Sequence, residues 1–195
     1  MLEERVLALF DDRIEALFNT KESLTPVIAQ AGELLVQSLL SDGKVICCGN
    51  GGSAGVASMF TAKMLDRFER ERPALPAICL SADATTLTAV AEDYSYNEVF
   101  SKQIRAIGQA NDLLLAITTS GRSANMVQAV QAAHDRDMTV LVLTAKDGGD
   151  VARLLYPEDM EIRVSSHSLA LIHELHLTVL HMLCDLVDGQ LFGME

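Results

Sequence analysis

Residues 44–55 read KVICCGNGGSAG. Val45, Ile46, Cys47 and Cys48 form a short apolar run of the length and type of a buried strand. Gly49, Asn50, Gly51 and Gly52 then break regular structure and open backbone angles closed to other residues. Ser53 follows as the expected N-cap of a helix whose apolar positions are Val56, Ala57, Phe60, Met64 and Leu65. Strand, glycine turn and helix N-terminus make a site for an anion, usually a phosphate. A tight turn with no ligand satisfies the same residues, so this stretch alone leaves both readings open.

A second stretch, DLLLAITTSGRSAN at 112–125, repeats the arrangement. Leu113 to Ile117 is a continuous apolar strand, and a helix is expected from Ala124 to about His134. Between them stand Thr118, Thr119, Ser120, Gly121 and Ser123. Hydroxyls around a glycine at a helix N-terminus donate to phosphate oxygens, and free backbone N–H groups supply the rest. Capping would use one of them. Four hydroxyls within six residues favour a ligand.

Further apolar runs at Ala77–Leu80, Met138–Thr144 and Met160–Val164 alternate with helical stretches. Continuous apolar strands alternating with helices specify a parallel sheet covered on both faces. Ligand sites in such sheets lie at the carboxyl ends of the strands, where both turns fall. The helix after the first turn is expected to run to about Arg70, and the last from Ser166 to Val187 with a stop at Asp188-Gly189. Two apolar-striped helices precede the first strand, one over 3–18 and one from Pro26 with Thr25 as its N-cap. They exceed what a small sheet needs for cover and are expected to form a subunit interface.

The chain has 195 residues, 49% of them hydrophobic, a net charge of −12 and a pI near 4.7. That size fits one domain, 1–195, with 1–42 as the helical lead and 43–195 as the α/β part. The acidity argues against direct nucleic-acid binding. Cys47, Cys48, Cys79 and Cys184 form no CxxC pair and read as buried thiols in a reducing compartment. The start, Leu2-Glu3-Glu4-Arg5, does not resemble a signal, and the apolar runs break before membrane-spanning length. A soluble cytoplasmic protein is expected.

CGNGGSA at 48–54, RPALPAI at 72–78, ITTSGRSAN at 117–125, LTAKDGG at 143–149 and the helix around His173 to His181 resemble the SIS (sugar isomerase) domain. More narrowly the chain is similar to the phosphoheptose isomerase family, including its DnaA initiator-associating branch. The resemblance covers nearly the whole chain. It implies a three-layer, flavodoxin-like α/β sandwich with a five-stranded parallel sheet, assembled as a homotetramer. It also implies that Thr118, Thr119, Ser120 and Ser123 hold the phosphate of a sugar such as sedoheptulose 7-phosphate. Asn50, Gly51, Gly52, Ser53 and Asp93 would meet the sugar. Arg122 replaces an asparagine of the family; its guanidinium either strengthens anion binding or points to solvent.

The catalytic positions depart from the family, which uses a His and a Glu four apart on the first helix and a Gln and a His eight apart on the last. Here these are Met59, Lys63, His173 and His181, so only His181 is retained. A thioether and an ammonium do not make an ordinary zinc site, and no metal or other cofactor is expected. His173 and His176, three apart, share a helix face and leave a weaker chelating alternative. The departure leads to the expectation of a phosphosugar-binding protein without isomerase chemistry. On that reading it serves as a tetrameric partner of the replication initiator DnaA, with Leu191 and Phe192 as a docking point. The alternative is an active sedoheptulose 7-phosphate isomerase of lipopolysaccharide heptose synthesis, with an acid/base set of Lys63, His173 and His181.

Overall fold

The five apolar runs become five parallel strands: β1 (Val45–Gly49), β2 (Ala77–Cys79), β3 (Leu113–Ile117), β4 (Thr139–Ala145) and β5 (Met160–Val164). They pair in the order β2-β1-β3-β4-β5, with Cys47 opposite Leu115 and Leu115 opposite Leu141 at the centre. The computed structural model describes residues 1–193. Because strand side chains alternate, each strand feeds two cores. Cys47, Leu113, Leu115, Leu141 and Ile162 pack on one face with α1 (Leu2–Leu40), α2 (Gly52–Leu65) and α7 (Leu169–Phe192). Ile46, Leu114, Ala116, Val140 and Val142 face the opposite layer. That layer comprises α3 (Ala84–Asp93), α4 (Ser101–Ile107), α5 (Ala124–His134) and α6 (Gly149–Ala152). The fold is the expected doubly wound α/β sandwich.

Three expectations about helix ends are corrected. The two leading helices are one, α1, with Pro26 inside its 39 residues. Thr25 is no N-cap; its hydroxyl donates to the Lys21 carbonyl at 2.6 Å, one turn back within the helix. Both halves are anchored, which carries the helix across the proline. Ile28, Ala31 and Leu35 enter the main core, while Ala16 packs with Ala145, Val164 and Ile172. Arg13 pairs with Glu174 at 2.8 Å.

The first-turn helix stops at Leu65, not near Arg70. Arg72 takes over its last carbonyls, donating to Lys63 O at 2.7 Å and Met64 O at 2.8 Å, and pairs with buried Asp188 at 2.8 Å. The last helix runs through Asp188-Gly189 to Phe192. Arg70 receives that end, donating to the carbonyls of Asp188 and Gly193. Leu191 packs onto the main core, whereas Phe192 stays 40% exposed with Arg70 over its ring. By length and hydropathy α7 could span a membrane, contrary to the expectation from its runs. Here Ile172, Leu175, Val179, Leu183 and Val187 bury it against the protein instead.

Candidate functional site

The strand order reverses between β1 and β3. α2, which leaves β1, lies on one face, and α5, which leaves β3, lies on the other. Their N-termini therefore open a crevice beyond the carboxyl ends of the two central strands, where open α/β sheets place ligands. Both glycine and hydroxyl turns meet there.

Asn50 and Asn125 join the two sides. Asn50 Nδ2 donates to Asn125 Oδ1 at 2.9 Å, and Asn125 Nδ2 returns a bond to Asn50 Oδ1 at 2.8 Å. The Tyr96 hydroxyl adds a third bond to Asn50 Oδ1 at 3.1 Å. Ser81 braces β1 from the other side, donating to Gly49 O at 2.8 Å and accepting from Gly49 N at 3.3 Å. Asn125, Tyr96 and Ser81 were not among the expected site residues. Asn125 closes the quoted hydroxyl motif, and an asparagine buried in the first turn of a helix was the available signal. Nothing local in the sequence marks Tyr96 or Ser81.

α2 begins two residues earlier than expected, with Gly51 rather than Ser53 at the N-cap position. Ser53 is buried in the first turn, and its N–H bonds to Asn50 O at 3.0 Å. The His173 imidazole lies directly on Gly52. A Cβ there would stand 2.5 Å from Cε1 and 2.8 Å from each ring nitrogen. Glycine at 52 is what lets the last helix bring an imidazole onto the first turn.

In the hydroxyl loop Thr118 is buried, and its Oγ1 accepts from Gly121 N–H at 3.1 Å. Thr119, Ser120 and Ser123 are half-buried. Ser123 is the N-cap residue of α5, yet its side chain makes no capping bond, so its hydroxyl is free for another acceptor. The LTAKDGG stretch forms the wall behind this loop. Gly121 has φ +64, a Cβ on it would stand 1.8 Å from Gly148 O, and Gly121 O accepts from Val151 N–H at 3.0 Å. Arg122 is exposed at the rim of the loop, where it ion-pairs with Asp147. Partial desolvation pushes the Asp147 carboxyl up, but the Arg122 charge and nearby backbone N–H groups outweigh it and hold the group below its usual range.

The remaining expected residues are dispersed. Asp93 ends α3, exposed, with no hydrogen bond to either turn among the described residues. α2 and α7 run side by side in the same direction, Gly52 against His173 at one end. Lys63 lies at the other, where its charge is felt by the buried Cys184 thiol. Burial pushes that thiol up to about 12; Asp188 adds to the rise, and Arg72 and Lys63 oppose it. His181 stands about 12 Å along α7 from His173 at 1.5 Å per residue. It packs at 5.6 Å from the Phe68 ring, beside a cavity lined by Thr25, Ile28 and Met182. Met59 is exposed on α2. His176 does not join His173 as a chelating pair: it is fully buried, and its Nε2 lies 2.9 Å from the Thr144 carbonyl. Among the described residues no three His, Cys, Asp or Glu side chains are grouped to hold a metal.

The SIS domain family matches residues 10–145. A phosphoheptose isomerase of Chromohalobacter salexigens is 58% identical over 98% of this chain and 97% of its own length. The chain belongs to the phosphoheptose isomerase family. Another family member, from Shewanella, is 53% identical over 98% of both chains. The structure of the Neisseria gonorrhoeae phosphoheptose isomerase superposes with a TM-score of 0.92 at 43% identity, covering 97% of this chain and all of that one. That of Francisella tularensis gives 0.93 at the same identity. These likenesses overturn the expectation of a non-catalytic partner of DnaA. Relatives this close and this complete are phosphoheptose isomerases, so Met59 and Lys63 are substitutions inside an isomerase family.

Proposed function

We propose that this protein is an aldose–ketose isomerase acting on a phosphorylated heptose, sedoheptulose 7-phosphate being the ketose. The observation that carries the reading is the His173 imidazole on Gly52, at the first turn and across the switch-point crevice from the hydroxyl loop. Thr118, Thr119, Ser120 and Ser123, with the free N–H groups of the α5 N-terminus, are the phosphate cradle. Asn50, Gly51, Gly52 and Ser53 face the sugar chain.

Isomerisation takes a proton from C1 of the ketose, passes through an enediol and returns a proton to C2, while the O1 hydroxyl proton is lost and O2 gains one. A base near neutral pH at the reacting carbons is the requirement. Of Lys63, His173 and His181, only His173 adjoins the glycine turn, and it takes the role of base. Lys63 and His181 lie farther along the helix seam.

The zinc that the family resemblance implies does not fit the side chains at its positions. Met59 offers a thioether and Lys63 an ammonium where the family resemblance implies an imidazole and a carboxylate. The reaction is therefore assigned to this chain's own groups, without a metal. The protein is also assigned to the cytoplasm and to a homotetramer built on α1.

The test is turnover of sedoheptulose 7-phosphate by the purified chain after exhaustive chelation. Activity is expected, falling by about 100-fold or more in kcat for His173→Ala with the fold intact. Inert wild-type protein that still binds the sugar phosphate would overturn the reading.

A further inference from the structure

A reciprocal pair of primary amides is degenerate: turning both Asn50 and Asn125 by 180° restores the same two hydrogen bonds. Something else must choose between the two arrangements, and in this structure Tyr96 does. Its phenol reaches Asn50 at 3.1 Å and, as a much better donor than acceptor, selects the arrangement with Oδ1 turned toward it. Asn50 Oδ1 then accepts twice, from Asn125 and from Tyr96. Asn50 Nδ2 donates once, to Asn125, and keeps one N–H with no protein acceptor among the described residues. That N–H belongs to the same glycine turn whose Gly52 carries the His173 imidazole.

The loop that delivers Tyr96 is built to hold it. Ser95 caps the 3₁₀ turn Tyr96–Glu98, accepting from Asn97 N–H at 3.1 Å, and the turn packs against α5. Tyr94 is fixed by the Lys102 ammonium 3.3 Å from its ring centroid. Tyr96 itself is 56% exposed and buries too little to be a core residue. Its polar contact is therefore what accounts for its position.

We propose that Tyr96 is a positioning and specificity residue for the isomerase substrate. By fixing the sense of the Asn50 amide, it presents an N–H donor to an oxygen of the open-chain polyol of the ketose phosphate. This rests on the isomerase reading for the identity of the sugar, but it is read by binding and does not require turnover.

The experiment is calorimetric titration of the full chain with sedoheptulose 7-phosphate and, separately, with inorganic phosphate, alongside turnover. Tyr96→Phe keeps the ring and removes only the hydroxyl. Affinity for the sugar phosphate is expected to fall about fivefold, with inorganic phosphate unchanged. Asn50→Ala and the double variant Asn50→Ala/Tyr96→Phe are expected to bind alike, because Tyr96 acts through Asn50. Unchanged sugar-phosphate binding by Tyr96→Phe, an equal loss for inorganic phosphate, or a further loss in the double variant would each overturn the inference. The expected binding pattern without wild-type turnover would support Tyr96 and remove the isomerase reading. Wild-type protein that binds no sugar phosphate would end both.

Discussion

His176 is fully buried on α7, with its Nε2 2.9 Å from the Thr144 carbonyl and Nδ1 without a partner among the described residues. The ring is therefore neutral, with the proton on Nε2 donated to the carbonyl. Burial lowers its pKa to about 4; the Thr144 carbonyl opposes the shift, and the neighbouring His173 adds to it. The unfolded chain protonates this histidine near 6.5, so between about pH 6.5 and 4 the unfolded state binds the extra proton. Stability is full above pH 6.5 and falls as pH drops through that window, by about 2 kcal/mol between 6.5 and 5. Urea denaturation across this range should show a slope of one proton, and His176→Gln should flatten it. An unchanged slope in that variant would assign the acid sensitivity elsewhere. His173, three residues earlier on the same helix, has the opposite situation, half-buried on a glycine at the crevice. The sequence put both histidines on one helix face; what separates a structural from a chemical one is which strand or turn lies opposite, and that is a tertiary fact.

The same limit decides what was legible element by element. The strands were readable almost to the residue, because a parallel sheet covered on both faces demands unbroken apolar runs such as Leu113–Ile117. α5 was readable as well, from Ala124 to His134. The misplaced C-terminal ends of α2 and α7 share one cause, long-range arginine contacts that local sequence does not encode. The Arg72 side chain is 1% exposed, receives α2 and ion-pairs with Asp188 on α7 at 2.8 Å, so helix α2 ends where that guanidinium begins. RPALPAI stood out as a motif without a role, and this contact supplies one. Replacing Arg72 by Met would leave the Asp188 carboxylate buried and unpaired and would strip the last α2 carbonyls of their donors. A loss of about 3 to 5 kcal/mol is expected. It should appear as a large fall in the urea midpoint without change in the sugar-phosphate contacts themselves. A loss below about 1 kcal/mol would show that water replaces the guanidinium at little cost.

At the scale of the whole molecule, the unsolved matter in a single chain is the first half of α1. Val6, Leu7, Phe10, Ile14, Leu17 and Phe18 recur at helical spacing, and each is at least 44% exposed, while Ala16 and Thr20 alone on this half are buried. A stripe of that length costs solvation free energy of roughly 25 cal/mol per Å² if left in water, and nothing among the described residues covers it. Another copy of the same helix presents the same stripe, so a self-complementary antiparallel pairing would bury both at once. Four copies are the assembly proposed above. Sedimentation equilibrium should therefore give a mass about four times the 21.1 kDa chain. Phe10→Glu together with Ile14→Glu places two carboxylates in the pairing face and should yield smaller species with the sheet and its crevice still folded. A wild-type chain that sediments as a monomer would assign the stripe to a different protein, and a tetramer indifferent to both charges would move the interface off this helix.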